Sequence, residues 1–403
     1  MKWPQVNIEG IRAKTRHSLV GGPFGSDLTT RDYVEEGVPV IRGANLPDDC
    51  SFKDDDFVFV RDEKADALIA NNAHPGDVVF TQRGTLGQVG LIPTEPRFPR
   101  YLVSQSQMKL TVDPAKADAR FVFYFFRHPR TVQSIKNRAI TSGVPHINLG
   151  ILREFTVPLP PLDTQREIVA TLSAYDELLE NNRRRMGLLE EAARLLYREW
   201  FVRLRFPGHE HARVDKGIPE GWEKNPLGVL AEVTMGQSPE SKFYNETGDG
   251  MPFHQGVADF GDRFVTNRIY TTALNRIANA GDILCSVRAP VGRLNITLDK
   301  IVIGRGLAAL RSRSSNQSFL LHQLRTHFFK EDLIGAGAIF ASVTKTEFGS
   351  QMMLTPPSQL IQEFEDFSGP IDEQLRVLHL QNQKLRAARD LLLPRLMSGE
   401  VSV

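Results

Sequence analysis

The sequence predicts an α+β protein: two similar mixed α/β domains separated by two long antiparallel helices that form a coiled coil, with pseudo-two-fold symmetry. The first observation is a segment that occurs twice, as GDVVFTQRGTLG from Gly76 and as GDILCSVRAPVG from Gly281. The second is a Pro-rich stretch followed by a long helical pattern, which begins near residue 158 and again near residue 354. Two copies with so long a period are too coarse for a solenoid and indicate a duplicated domain and helix.

This organisation divides the chain into domains at 1–157 and 207–353 and helical segments at 158–206 and 354–403. The domains alternate short apolar runs with Gly, Pro, Asn and Asp, as in short strands and turns. Examples are Val78–Phe80 in the first domain and Leu307–Leu310 in the second. One helix is predicted in each domain, at about 115–137 and about 316–329.

The helical segments carry apolar residues at alternating steps of four and three, the spacing of a heptad seam. A helix start is predicted by Asp163 as the cap, with Glu167 near the positive helix end. Each helix has about 35 residues and is therefore about 50 Å long. The seam positions are Ile168, Leu172, Tyr175, Leu179, Asn182, Met186, Leu189, Ala193, Leu196 and Trp200, then Phe364, Ser368, Ile371, Leu375, Leu378, Asn382, Leu385, Arg389, Leu392 and Leu396.

Each seam is interrupted by one asparagine, and an antiparallel arrangement places Asn182 opposite Asn382 and Trp200 opposite Phe364. A buried asparagine pair fixes the register because any slip leaves an amide facing an apolar side chain. The alternative is that both asparagines lie at the solvated edge of the seam. In the paired arrangement the two domains are predicted at opposite ends of a rod. Its approximate two-fold axis would match the local two-fold symmetry of duplex DNA.

Composition sets further limits. The chain has 403 residues, with 49 basic against 48 acidic residues and a net charge of +1, which neither indicates nor excludes nucleic-acid binding. No segment approaches the roughly 20 apolar residues of a membrane span, and no secretory signal is visible. The two cysteines suit a reducing cytoplasm, so a cytoplasmic location is predicted. Cys285 is expected to be a small core residue rather than a redox group.

Several motifs resemble a known family. The segment PLPPLDTQREI from Pro158, followed by a long helix, resembles the central shared region of type I restriction-modification specificity subunits. Segments near the start of each domain are similar to that family's target recognition domains: GPFGS from Gly22, IRGAN from Ile41, MGQSP from Met235 and FHQG from Phe253. The closing segment from Arg389 is similar to the family's chain end. The resemblance covers essentially the whole chain.

This resemblance implies a non-catalytic, sequence-specific DNA-binding subunit. Target recognition domains 1 and 2 would each recognise one half of a bipartite, asymmetric site in double-stranded DNA. The helices would act as spacers and dock two modification (methyltransferase) subunits through outward residues such as Leu188 and Leu195. The resemblance also implies restriction (translocase and endonuclease) subunits as partners, and it implies no membrane partner. S-adenosylmethionine, ATP and Mg²⁺ are expected only on these partners, with no cofactor and no metal site in this chain.

Base recognition in DNA uses Arg for guanine and Asn or Gln for adenine, placed on loops that leave the strands. Arg83 and Arg288 follow equivalent strands, although they could instead form a structural ion pair within each domain. Residues that differ between the halves are better candidates for sequence choice, while Lys109, Arg138 and Lys345 would suit phosphates. The predicted DNA-binding residues are Arg42, Gln82, Arg83, Thr85, His146, Asn148, Gln255, Arg288, Ser342, Thr344 and Lys345.

Two other functional classes were weighed against DNA recognition. A self-contained nuclease or methyltransferase would need a catalytic constellation, and the sequence offers only weak motifs. Asn225-Pro226-Leu227-Gly228 is interpreted as a turn and His209-Glu210-His211 as a solvated loop, because neither has the residues or spacing of a methyltransferase loop or a helical zinc site. Gly21–Ser26 lacks the ending of a P-loop. A structural coiled-coil adaptor would explain the helices but not two elaborate domains.

Overall fold

The computed structural model describes residues 3–328 and 343–401, and the chain divides into two compact units. Unit 1 comprises Met1–Arg183 with Gln381–Val403, and unit 2 comprises Arg184–Leu380. The boundaries fall inside the two long helices, so each unit contains one globular part and a portion of each helix. The four domains and helical segments predicted from the sequence are divided by their order along the chain, and that division stays a prediction. The two units are instead defined by which residues pack together in space.

Unit 1 contains a five-stranded sheet, a four-stranded sheet and a two-stranded ribbon. Their orders are β3-β5-β4-β9-β6, β2-β10-β7-β8 and β1-β11, and only the β4–β9 pair is parallel among these pairs. The strands are β1 (Gln5–Asn7), β2 (Leu19–Gly21), β3 (Tyr33–Val34), β4 (Val38–Ile41), β5 (Val58–Val60), β6 (Asn72–Ala73), β7 (Val78–Thr81), β8 (Val89–Leu91), β9 (Tyr101–Val103), β10 (Gln107–Leu110) and β11 (Thr156–Pro158).

Unit 2 repeats this plan. Its sheets have the orders β16-β18-β17-β22-β19, β15-β23-β20-β21 and β14-β24, with β17 parallel to β22, and it adds a β12-β13 hairpin. The strands are β12 (Val214–Asp215), β13 (Ile218–Pro219), β14 (Glu223–Pro226), β15 (Ala231–Met235), β16 (Tyr244–Asn245), β17 (Met251–His254), β18 (Tyr270–Thr271), β19 (Ile277–Ala278), β20 (Ile283–Ser286), β21 (Leu294–Ile296), β22 (Ile301–Ile303), β23 (Leu307–Ser312) and β24 (Met352–Thr355).

The strand register shows which residues of the two units are equivalent. Ile41 pairs with Val103 as His254 pairs with Ile303, and Thr81 pairs with Gln107 as Ser286 pairs with Leu307. A close backbone approach also occurs in both units. A Cβ on Gly22 would lie 2.1 Å from the Ser104 carbonyl oxygen, and one on Gly236 would lie 2.1 Å from that of Gly304. Only glycine fits such contacts, so both units need it at this position.

The helices confirm the predicted long pair and correct the prediction for the first domain. The predicted single helix at 115–137 is two helices, because Pro129 provides no backbone N–H and His128 caps the second one through Nδ1. The helices are α1 (Ile8–Ile11), α2 (Asp62–Ala67), α3 (Ala119–Arg127), α4 (Pro129–Asn137), α5 (Leu149–Arg153), α6 (Leu162–Tyr197), α7 (Leu227–Leu230), α8 (Gln317–Phe328), α9 (Lys345–Gly349) and α10 (Ser358–Ser398).

In unit 1 the start of α6 and the end of α10 pack antiparallel into the core of the globular part. Ile168, Leu172 and Leu396 are buried in one apolar cluster with the aromatic face of α3. Asp163 lies inside the first turn of α6 rather than at its cap, because the helix begins one residue earlier. Its carboxylate remains favourable there, near the positive end of the helix dipole.

In unit 2 the later part of α6 and the first part of α10 pack against each other and against α8. The Trp200 and Phe364 ring centroids are 6.3 Å apart, the contact that the antiparallel register predicts. Phe364 is fully buried and also contacts Tyr197, with 5.6 Å between the ring centroids. The apolar seam therefore joins the two helices within this unit as well.

Candidate nucleic-acid interface

In unit 1 the predicted DNA-binding residues gather where β7 ends. The Gln82 backbone N–H donates to the Ser106 carbonyl at 2.7 Å, and the Gln82 carbonyl accepts the Ile147 N–H at 2.9 Å. The backbones of Arg83 and His146 form an isolated antiparallel β-bridge next to these hydrogen bonds. Because these backbone contacts join three segments, the side chains of Gln82, Arg83 and His146 share one edge of the four-stranded sheet. Arg83 and Thr85 are exposed on the loop that leaves this edge.

Arg42 lies at the end of β4, in the five-stranded sheet, and the loop it begins is firmly held. Asn45 accepts the Arg42 backbone N–H at 2.9 Å, and its amide donates to the carbonyls of Lys53 and Asp55 at 3.1 and 3.0 Å. The Arg42 guanidinium donates to the Asp56 carbonyl at 3.2 Å. The following Gly43 lies beside Gln88, which places the loops from β4 and β7 next to each other.

In unit 2 Gln255 and Arg288 line one cleft together with Arg305. Its volume is about 150 Å³, and it lies where β17 and β20 end and where the chain turns between β22 and β23. The Val287 backbone N–H donates to the Gly306 carbonyl at 2.9 Å, and the Val287 carbonyl accepts the Val343 N–H at 2.9 Å. This is the backbone arrangement found at Gln82, so the two sites have the same construction.

The register identifies two residues that the sequence analysis missed. Gln105 in unit 1 and Arg305 in unit 2 occupy equivalent turns, each two residues after the end of a parallel strand. The Gln105 amide donates to the carbonyls of Gly25 and Leu28, at 2.5 and 2.8 Å, and so holds the loop on which Phe24 is 88% exposed. Arg305 is exposed and lines the cleft. In the sequence, these residues lie in Ser104-Gln105-Ser106 and Gly304-Arg305-Gly306, each after a similar apolar run. The two segments are too short to be aligned without the strand register.

The side chains of two predicted DNA-binding residues cap helices. Asn148 Oδ1 accepts the Ile151 N–H at 2.9 Å and caps α5. Thr344 caps α9 and exchanges hydrogen bonds with Glu347, whose pKa is lowered mainly by the Thr344 backbone N–H. Capping accounts for Asn and Thr at these equivalent positions. Ser342 lies outside the described residues.

The lysines suggested for phosphates differ in position. Lys345 is exposed and lines a separate cleft of about 450 Å³ with Arg276 and Arg313. The prediction for Lys109 is wrong: its side chain is 6% exposed, and its ammonium lies 3.2 Å from the buried carboxylate of Asp77. A lysine held this way keeps a buried charge neutralised and is not available to DNA.

The alternative role suggested for Arg83 and Arg288 is not seen in residues 3–328 and 343–401, where neither guanidinium forms an ion pair. Both side chains are exposed. Cys285 fits its expected core role, because it is fully buried and burial raises the pKa of its thiol to about 12.

The helix pair of unit 1 contains the expected asparagine contact. The Asn182 amide donates to Asn382 Oδ1 at 2.9 Å, and the two residues are 4% and 7% exposed. In unit 2 the proposed docking residue Leu188 is 72% exposed, while Leu195 is half-buried. Other exposed apolar side chains on the long helices are Leu178, Phe367, Val377 and Leu391.

Within residues 3–328 and 343–401, no helix is both long and apolar enough to cross a membrane. No three or more His, Cys, Asp or Glu side chains in these ranges are grouped to hold a metal ion.

Comparison with known proteins gives a consistent result. Residues 35–190 match the family model of the type I restriction modification DNA specificity domain. The chain is 28% identical over 354 residues to a putative type I restriction enzyme MjaX specificity subunit of Methanocaldococcus jannaschii, covering 86% of this chain and 83% of the relative. It is 24% identical to the MjaIX specificity subunit of the same organism, covering 81% and 78%. The fold is similar to the crystal structure of a type I restriction-modification S subunit from M. genitalium, with a TM-score of 0.60, 18% identity and coverage of 98% and 96%.

Proposed function

We propose that this chain, which belongs to the family of type I restriction-modification specificity subunits, recognises a bipartite, asymmetric DNA site and docks the adenine methyltransferase subunits that modify it. One observation carries the proposal: the two units share a backbone plan but present different side chains at equivalent places. Arg42 corresponds to Gln255 and Gln105 to Arg305, by strand register. Different donors and acceptors on one scaffold select different bases.

Chemistry is assigned to the partners. The modification subunits would bind S-adenosylmethionine and transfer the methyl group, and restriction subunits would use ATP and Mg²⁺. This chain would supply position and sequence choice, with Arg83, Arg288 and Arg305 as exposed donors toward DNA. The exposed apolar residues of the long helices, Leu188 among them, support docking of the modification subunits there. A cytoplasmic location for this complex stays a prediction.

A segment exchange tests the proposal. Residues 1–157 are replaced by the equivalent segment of a relative with a different specificity, and genomic adenine methylation is mapped in cells that express the chimera with its modification subunit. We expect a change in one half of the methylated sequence and none in the other. The matched control exchanges residues 207–353 and should change the opposite half. A chimera that alters both halves, or neither, contradicts separable recognition by the two units.

A structural adaptor that does not recognise sequence is the second function considered. It accounts for the helix pair but not for the different side chains at equivalent loop positions. Binding assays with the complete complex separate the two functions, because an adaptor would bind random and cognate duplexes equally.

A further inference from the structure

In unit 1 a single carboxylate contacts both long helices. Asp49 lies in the loop between β4 and β5, and its Oδ2 accepts a hydrogen bond from Arg183 of α6 at 2.5 Å. The guanidinium of Arg386, on α10, lies 4.0 Å from the same oxygen. Arg183 directly follows Asn182, so this contact is at the place where the helices are paired through their asparagines.

In unit 2 a single guanidinium makes the corresponding contact with opposite charge. Arg263 lies in the loop between β17 and β18 and is 4% exposed. It donates to Glu190 of α6 at 2.8 Å and to Asp372 of α10. Arg325 of α8 also contacts Glu190, at 3.5 Å. Each unit thus places one charged loop side chain against the same two helices, half-exposed for Asp49 and buried for Arg263.

The two contacts lie on equivalent loops. The register places Arg42 and Gln255 at corresponding positions, the first residues after β4 and β17. Asp49 and Arg263 follow a few residues later in the same loops. Both loops are also tied down within the globular part: Asn45 bonds the carbonyls of Lys53 and Asp55, and Asn295 donates to the Gly261 carbonyl at 2.7 Å. Each charged residue therefore lies in a loop that is itself held by side-chain hydrogen bonds.

We propose that Asp49 and Arg263 are positioning residues that fix the two base-contacting loops on the helix pair, each through a charge that suits only its own helix partners. Asp49 is matched to two arginines and Arg263 to two carboxylates. Exchanging the two residues would place like charges together, which is unfavourable, most of all at a buried site. The inference rests on the proposed function, since it assigns these loops a role in recognising DNA.

Charge reversal in unit 1 tests this role. The complete complex with its modification subunits is assayed for binding to the cognate duplex and to duplexes altered in either half-site. We expect Asp49→Arg to reduce discrimination at the half-site of unit 1 several-fold and to leave the other half unchanged. The compensating set Asp49→Arg, Arg183→Asp and Arg386→Asp should restore it. The matched control is Asp48→Arg, an exposed neighbour that should change neither half.

Unit 2 gives an independent test. Arg263→Glu should reduce discrimination only at the half-site of unit 2. Because Arg263 is buried, thermal unfolding is used to check that this variant is folded. Arg263→Lys keeps the charge but has fewer donors than the guanidinium. It should retain the fold and lose discrimination to a smaller degree, still in that half alone.

The inference is overturned if Asp49→Arg leaves discrimination intact, if both halves lose it equally, or if the compensating set does not restore it. A folded Arg263→Lys complex that loses discrimination in both halves overturns it too. A wild-type complex that binds altered and cognate duplexes equally overturns the proposed function itself, and the inference with it. Half-specific loss and its rescue support the positioning role, since general destabilisation would affect both halves.

Discussion

The buried asparagine contact predicts a specific pattern in mutant stabilities. Asn182→Leu removes the amide that donates to Asn382 at 2.9 Å, where the two residues are 4% and 7% exposed. A buried polar group that loses its partner costs about 1–3 kcal/mol. We therefore expect Asn182→Leu and Asn382→Leu each to lower the free energy of unfolding by about that amount. Replacing both asparagines removes both polar groups, so the double variant should lie close to wild type.

The assay is urea unfolding of the full chain, followed by circular dichroism, which reports the helices. The variants are compared by their transition midpoints, provided that the slopes agree. Asn181→Leu is the matched control, because it makes the same change at the neighbouring exposed position and should stay within about 0.5 kcal/mol of wild type. The reasoning fails if the single variants match Asn181→Leu. It also fails if the double variant loses as much stability as both single variants together, since the two sites would then be independent.

Three further predictions concern catalysis, spacing and pH. The purified chain alone should transfer no methyl group from labelled S-adenosylmethionine to DNA, and methylation should appear on adding a modification subunit; transfer by the chain alone contradicts the assignment. Four residues inserted after both Asn182 and Asn382 add about 6 Å to each helix. Methylome mapping should then show an unread spacer longer by one or two base pairs, at about 3.4 Å each, with both half-sites kept; an unchanged spacer with full activity would show that the helices do not set it. Burial lowers the pKa of His322 to about 3 from 6.5, so the unfolded chain binds a proton there that the fold excludes. The stability contribution of the neutral imidazole is present above pH 6.5 and is lost as pH falls below that value, by at most about 1.4 kcal/mol per pH unit. His322→Phe keeps a ring beside Tyr197 and should weaken this pH dependence in thermal unfolding. The same dependence of stability on pH in both proteins would contradict this role of His322.

The duplicated plan and the helix seam were predictable because each depends on local periodicity. Heptad spacing predicted the Trp200–Phe364 contact and left the asparagines either paired or at the solvated edge, and the structure shows them paired. The strands at 78–80 and 307–310 were also predicted, since buried strands are short apolar runs between turn residues. The single helix at 115–137 was wrong because Pro129 was not recognised as the start of a new helix.

The candidate interface was only partly predictable. Arg83 and Arg288 were placed correctly on loops that leave strands, as the repeated segment indicates. The sequence could not show that Lys109 is neutralised by Asp77, because that pairing depends on a tertiary contact. The caps formed by Asn148 and Thr344 involve residues only three positions further on, and the sequence analysis missed them although they are local. Gln105 and Arg305 became equivalent only through strand register.

The sequence by itself determined the repeated order of domain and helix, the strands, and the asparagine register, because backbone propensity and side-chain periodicity act between near neighbours. The tertiary structure decided which charged residues are exposed and which are buried in pairs. Asp49 and Arg263 look like ordinary loop residues in the sequence. Each contacts two oppositely charged helix residues that are more than a hundred positions apart in the sequence. Only folding of the complete unit brings such charges within a few ångströms of one another.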